Sequence, residues 1–430
     1  MPTTLNTYEQ IYALSTASNG AGGLNGTQTK LQQSLQTAFA ETVSPGSALS
    51  SWTIEWGPRV WKVNPDDTTT GPDNVWFAAV CPQLAFADGN FDTCVVAIAG
   101  TATAGECLNY DWKTEDFGVN QIQDFNEWVD SWTATSSSKP RPVATRHKSS
   151  SALYCSVGTE TGVYNILNNT ASTGYPGSDA TIVEFLQSLT SNYRIIFTGH
   201  SLGGALSPTL ALGLSLVKSR LLPNNPEILT FPTAGASPGN AKFAETYNHA
   251  FKPRLDEGGY QVFNGDLFNT YDIVPQTWCT NKSISPDRNI HNIQSIYGTL
   301  PVIFGAEVAF AISLGVERAE ASEITYEPIQ GRIFTGPRPT SVPQNKTQLV
   351  IEAIKQHTTA YYDYVDPAGT ITNIHRSIYA HASKQEGINK QTVDQVANAF
   401  PVLRKLRSDE RGADHNGSAL YPYDEIFGPK

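Results

Sequence analysis

The chain is 430 residues long, with 40% hydrophobic and 16% charged residues, which provides for a large core and excludes a disordered chain. Its 29 basic and 40 acidic residues leave a net charge of −11; such a field repels nucleic acid and anionic membranes, so a small or neutral substrate is expected. The five cysteines, Cys81, Cys94, Cys107, Cys155 and Cys279, form no Cys-x-x-Cys pair, which argues against a zinc site.

The first residues, MPTTLNTYEQIYALSTASNG, have neither a cationic start nor an apolar run of signal length. The expectation is a cytoplasmic chain, or a secreted one if a signal has been removed. Asn-x-Ser/Thr tripeptides at Asn25, Asn168, Asn281, Asn345 and Asn416 keep the second option open. Residues 5–42 read as two helical segments divided by the turn-rich NGAGGLNG. Strand-like runs follow at 52–61, 74–81 and 94–100, the last a continuous apolar run of the kind found in a strand buried on both faces. Val119, Ile122, Phe125, Trp128, Val129 and Trp132 have helical spacing and predict an amphipathic helix over 119–132.

A further helix is expected near 181–190, a strand at 193–199, and a helix from about Ser201 to Leu221, ending before Pro223. Strands are expected at 227–232 and 260–265. This alternation predicts a mostly parallel central sheet with helices on both faces. The most apolar stretch, 299–316, is interrupted by Pro301 and Glu307 and is too short to span a membrane. It reads as a core or cap helix.

The segment RIIFTGHSLGGALS contains Gly199-His200-Ser201-Leu202-Gly203, which fits Gly-x-Ser-x-Gly. In that motif the chain leaves a strand and turns sharply into a helix, with the serine exposed at the corner. Ser201 then lies at a helix N-terminus, where the dipole favours developing negative charge, and the Leu202 N–H points at an oxyanion. A serine nucleophile needs a base, and the base an orienting carboxylate. In α/β-hydrolases the order is serine, acid, histidine. Order alone leaves His291, His357, His375, His381 and His415 as candidate bases, and His200, inside the turn, reads as structural.

The segment GHSLGGAL resembles the nucleophile elbow of the class 3 (fungal-type) lipases. Other segments resemble that family in its own order: VVAIAGT at 95–101, Trp112 and Asp116 after it, LTFPTAGASPGNAKFA at 229–244, NTYDIVPQ at 269–276 and QHTTAYYDYV at 356–365. Departures are Ala99, where the family often has arginine, and SVGTETGVYNIL in place of a His-x-Gly segment. The resemblance implies a single α/β-hydrolase domain over 1–430, with a matched core at 94–365 and an insertion near 280–350 that forms a cap. With the order rule it selects Asp272 as the acid over its rival Asp266, and it selects His357 as the base, with His375 as runner-up. Thr101, following the 94–100 strand, is the second expected oxyanion donor beside Leu202.

The expected function is hydrolysis of carboxylic esters through an acyl-enzyme, with a triacylglycerol or other ester as substrate and no metal or organic cofactor. The alternatives are a carboxylesterase on soluble esters, of the feruloyl type, and a catalytically silent fold used for binding. Contact with a lipid interface is expected to be transient. The segment 101–118, where the resemblance puts a lid, carries five charges, whereas 302–316 is far more apolar and is the better candidate to line an acyl groove or face lipid.

Overall fold

The structure is a computed structural model; it describes residues 5–102, 111–116, 118–143, 149, 151–190 and 193–390. Its centre is a seven-stranded sheet of β1 (Thr53–Trp61), β2 (Asn74–Phe86), β3 (Gly89–Ile98), β4 (Tyr193–His200), β5 (Glu227–Thr233), β6 (Asp266–Asn269) and β7 (Gly331–Phe334), which lie side by side in chain order. β1, β2 and β3 pair antiparallel, and β3 through β7 are parallel. This is the mostly parallel α/β-hydrolase sheet that the alternation of strand and helix predicts.

Because side chains alternate along a strand, the middle strands feed two cores. Val95 and Ala97 of β3 and Ile196 of β4 join one cluster; Cys94, Val96 and Ile98 with Ile195 and Phe197 join the other. The first core is roofed by α1 (Thr7–Ala17), α2 (Gln28–Thr42), α7 (Lys346–His357), α8 (Thr359–Val365) and α9 (Thr370–Ala382). The second lies under α3 (Val157–Leu167), α4 (Leu202–Leu216) and α5 (Ala241–Ala250). The helices at 7–42 and those at 346–382 therefore build one layer. Gly20, just after α1, lies so close to α9 that a Cβ there would stand 2.2 Å from Ile378 Cγ2.

Three expectations are corrected. The helix predicted over 119–132 is six residues long, Phe125–Asp130. Asp124 accepts from the N–H groups of Asn126 and Glu127 and so starts the helix there. Ile122–Asp124 instead pairs antiparallel with Tyr154–Ser156. The six apolar residues are all buried, so the pattern marked burial and not one continuous helix. The strand predicted at 260–265 is a short Gln261–Phe263 pairing in a separate hairpin with Arg254–Gly258, and the main-sheet strand begins at Asp266. The helix after Ser201 ends at Leu216, and a separate turn of helix covers Lys218–Leu221.

From Val302 on, the apolar stretch at 299–316 forms the first part of α6 (Val302–Glu320). Phe304, Val308 and Ala319 are buried, while Val302 is 91% and Ile303 80% exposed. α6 packs on the turns at 118–120 and 290–294. No helix among the described residues is long and apolar enough to cross a membrane.

Candidate active site

The residues singled out by sequence gather where the parallel strands end, the edge at which open α/β sheets bind ligands. Ser201 follows β4, Thr101 follows β3, and Asp272 lies just beyond β6. Ser201 has φ 63° and ψ −124°, a left-handed conformation that is strained for a residue with a side chain. The turn can be that tight because Gly203 carries no side chain: a Cβ there would stand 2.2 Å from the carbonyl oxygen of Ile98. Leu202 opens α4, and the first N–H groups of a helix have no partner one turn back. The strained corner and the donor at the helix start are the two features expected of the Gly-x-Ser-x-Gly motif.

Asp272 is wholly buried. Its Oδ2 lies 2.7 Å from His357 Nδ1, and its Oδ1 accepts from the Val274 N–H at 3.0 Å. The Tyr361 hydroxyl donates to the same Oδ2 at 2.8 Å and accepts from the Asn269 N–H at 3.0 Å. Burial and the Asp272 charge hold the Tyr361 phenol well above its ordinary pKa, so it stays a donor. Asn269, also fully buried, donates through Nδ2 to the carbonyl and side-chain oxygens of Gln356 at 3.0 and 2.8 Å. The loop that holds the acid is thus bonded to the residue just before the histidine.

His357 closes α7 and remains accessible at its rim. Its carbonyl oxygen lies 2.7 Å from His200 Nε2, and His200 Nδ1 lies 2.9 Å from Thr233 Oγ1. A carbonyl only accepts, so Nε2 carries the proton and Nδ1 accepts from the Thr233 hydroxyl. Desolvation, then the neighbouring His357, lowers the His200 pKa well below 6.5 and keeps the ring neutral. The two imidazoles lie 4.6 Å apart. Asp272 and His357 are therefore brought together beside the elbow. Among the described residues no hydrogen bond joins Ser201 to the His357 imidazole.

Thr101 Oγ1 donates to Asp116 Oδ2 at 2.6 Å. Desolvation pushes the Asp116 pKa up to about 7, against the Thr101 hydrogen bond and the charge of a protonated His357. The neighbouring Glu115 is buried and accepts from Asn74 at 2.9 Å and Asn165 at 3.0 Å, which anchors the segment carrying Asp116 to the start of β2 and to α3. Half of the expected lid, with Leu108, Tyr110 and Phe117, lies outside the described residues, as does the side chain of Trp112.

The rivals among the described residues are engaged elsewhere, and His415 lies outside the described residues. Asp266 accepts from Arg288 Nη1 at 3.0 Å and from the Gly235 N–H at 3.1 Å. Arg288 is itself bonded to the Ile329 carbonyl and lies 4.4 Å over the Phe268 ring. His375 is buried under α1, with Nδ1 3.1 Å from the Thr16 carbonyl. His291 faces the Thr280 carbonyl, and His381 pairs with Glu41 at 2.8 Å. Among the described residues no group of three or more His, Cys, Asp or Glu side chains could hold a metal.

Sequence reasoning missed Tyr361, Asn269 and Thr233. Tyr361 stands four residues after His357, a spacing that can put two side chains on one helical face. Asn269 and Thr233 gave no such signal, because an asparagine or threonine at a strand end most often belongs to a turn.

The family described as lipase (class 3) matches residues 119–281, a span that holds Ser201 and Asp272 but neither Thr101 nor His357. Among solved structures, M37 lipase is 22% identical over 87% of this chain and 98% of its own, with a TM-score of 0.61. The Lip2 lipase from Yarrowia lipolytica is 21% identical over 48% of this chain and 57% of its own, with a TM-score of 0.30. At these identities the first likeness speaks for a shared fold alone, and the second carries no argument. No curated protein matches the chain. The expected resemblance to the class 3 lipases and the α/β-hydrolase fold both stand.

Proposed function

We propose that this protein is a carboxylic ester hydrolase of the lipase kind, with Ser201 as nucleophile, His357 as general base and Asp272 as its orienting acid. The observation that carries the reading is the meeting of a strained serine elbow with a buried Asp272–His357 pair bonded at 2.7 Å, at one edge of the sheet. The class 3 lipase match supports the reaction type.

In the first step Ser201 Oγ bonds to the ester carbonyl carbon while its proton passes to His357 Nε2. The carbonyl electron pair becomes an oxyanion facing the N–H groups of Leu202 and Thr101. Asp272 holds the imidazole by Nδ1 and stabilises the imidazolium. The intermediate collapses, the carbon–oxygen bond to the alcohol breaks, and His357 returns the proton to the leaving oxygen. Water, activated by the same imidazole, then releases the acid and restores Ser201. The Ser201–His357 hydrogen bond forms with substrate in place, since such contacts are often loose without ligand.

The substrate side of this reading is a lipid or other water-insoluble ester met at an uncharged surface. Val302 and Ile303 lie bare at the start of α6, and the net charge of −11 opposes an anionic surface. Hydrolysis of p-nitrophenyl esters of rising chain length, in solution and as emulsions, tests the function. Turnover that rises once the substrate forms an interface supports a lipase. Turnover confined to short soluble esters makes the protein an esterase, and none with any ester refutes the reading.

A further inference from the structure

We infer that Asn19, in the N-terminal layer, is a positioning residue for the oxyanion hole; the inference rests on the function proposed above. Asn19 lies in the tight turn Ser18–Ala21 that follows α1. It is a hundred residues before the 119–281 match begins, and no motif in the sequence points to it.

Its Oδ1 accepts the Gly100 N–H at 2.8 Å. The assignment of the amide follows from its two partners: Gly100 offers a donor, so the oxygen faces it, and Nδ2 then faces the Ser15 carbonyl at 3.3 Å. Gly100 joins the end of β3 to Thr101. It touches the elbow directly: a Cβ at this position would stand 2.7 Å from the His200 carbonyl oxygen and 2.9 Å from Ser201 Cβ. Only glycine fits there, and glycine has the widest backbone freedom of any residue.

That freedom bears on the reaction, because the peptide unit between Gly100 and Thr101 carries the Thr101 N–H. Three anchors hold the segment. The Ala99 N–H donates to the Val75 carbonyl at 2.9 Å, the Gly100 N–H is held by Asn19, and the Thr101 hydroxyl is held by Asp116. The first two fix consecutive peptide planes, and the third fixes the side chain beyond. Without Asn19 the Ala99–Gly100 plane loses its anchor, and the Gly100–Thr101 plane, joined to it through a glycine, carries the oxyanion donor with it. Asn19 is itself held, since its carbonyl accepts the Gly22 N–H at 2.8 Å and Gly20 is pressed onto Ile378 of α9. The layer built from the helices at 7–42 and 346–382 thus reaches through to the backbone next to the nucleophile.

The test compares wild type with Asn19→Leu, which keeps the size and removes the acceptor. Three quantities are read: kcat and KM for a soluble p-nitrophenyl ester, the affinity for an alkyl trifluoromethyl ketone, and the affinity for the matching methyl ketone. The fluorinated ketone takes Ser201 Oγ onto its carbonyl carbon, passes the proton to His357 and leaves an oxyanion in the hole. The methyl ketone fills the same space without that charge. The expected result is a fall in kcat of roughly tenfold to a hundredfold with KM near wild type, of the size that a small misplacement of a reacting group produces. Affinity for the fluorinated ketone falls by the same factor and that for the methyl ketone is unchanged. If Asn19→Leu does not accumulate as folded protein, Asn19→Ala, which removes the acceptor without bulk, takes its place. A variant with wild-type kcat and wild-type trifluoromethyl ketone affinity overturns the role of Asn19, as does one that weakens both ketones equally. Absence of turnover in the wild type refutes the esterase reading itself, a result distinguishable from either.

Discussion

The His200 imidazole donates from Nε2 to the backbone carbonyl of His357, 157 residues further along the chain, at 2.7 Å. One side of the bond is the residue next to the nucleophile; the other is the main chain of the base. Ser201 and His357 lie on separate elements, β4–α4 and α7, and this bond sets the distance between them. Thr233, at the end of β5, fixes the ring through its hydroxyl.

Replacing His200 with Ala is therefore expected to lower kcat about tenfold or more for a soluble ester, because the base loses its register to the nucleophile. KM stays near wild type. His200 is buried and its loss leaves a cavity beside the Thr233 hydroxyl, so the melting temperature falls as well and the rate is read per folded active site. Steady-state kinetics with p-nitrophenyl butyrate, together with a thermal melt, check this; an unchanged kcat contradicts it.

The two carboxylates near β6 separate by what they hold. Asp272→Asn is expected to cost about 10⁴-fold in kcat, since the amide presents the wrong partner to Nδ1, while the fold survives. Asp266→Asn leaves Arg288 buried without its counter-charge, a loss on the order of 3–5 kcal/mol in stability, while the folded fraction keeps its turnover. Rates normalised to active sites, set beside urea unfolding of both variants, decide the matter. Loss of turnover with Asp266→Asn and not with Asp272→Asn would reverse the assignment.

His375 makes a prediction about acid. Burial lowers its pKa to about 4, against an ordinary 6.5. Because the folded value is the lower one, the unfolded chain binds more protons between these limits. Stability is then full above about pH 6.5 and is lost as the pH falls through about 4. The shift corresponds to roughly 3 kcal/mol. Urea unfolding of wild type from pH 8 to 4 should show this loss, and His375→Gln, which has no titrating ring, should flatten that limb of the curve. An unchanged slope in the variant would remove His375 from the account.

How much of this was legible in the sequence depended on whether the signal was local. The elbow was legible because glycine, serine and glycine at fixed spacing between an apolar strand and a helix leave few other conformations. The parallel strands were legible because strands buried on both faces are apolar throughout, as in 94–98. The predicted helix at 119–132 was not, because residues buried from a turn, a strand and a short helix fell at helical spacing by coincidence, and Asp124 set the true start. Asn19 and Asn269 were hidden for another reason. Their role comes from partners 81 and 87 residues away, and nothing about an asparagine in its own segment announces such a partner. Among the late histidines only the resemblance singles out His357, and the structure supplies a physical reason: His375 and His381 face partners on α1 and α2, whereas His357 faces Asp272.

The exposed start of α6 predicts a difference between substrates. Changing Val302 and Ile303 to Ser should lower activity on emulsified long-chain esters severalfold, since each exposed apolar side chain adds to the area buried on an oil surface. Activity on a soluble short-chain ester should not change, because neither residue touches the triad. Equal losses on both substrates would assign α6 a folding role only.

The central claim is that Ser201 forms the covalent intermediate, and active-site titration tests it most directly. Diethyl p-nitrophenyl phosphate reacts with an activated serine to release one nitrophenolate and leave a diethylphosphoryl group on its oxygen. About one equivalent is expected to be released per wild-type chain, with the added mass on the peptide that contains Ser201, and neither release nor adduct with Ser201→Ala. A stoichiometric burst from Ser201→Ala, or an adduct mapped to another residue of the wild type, would contradict it.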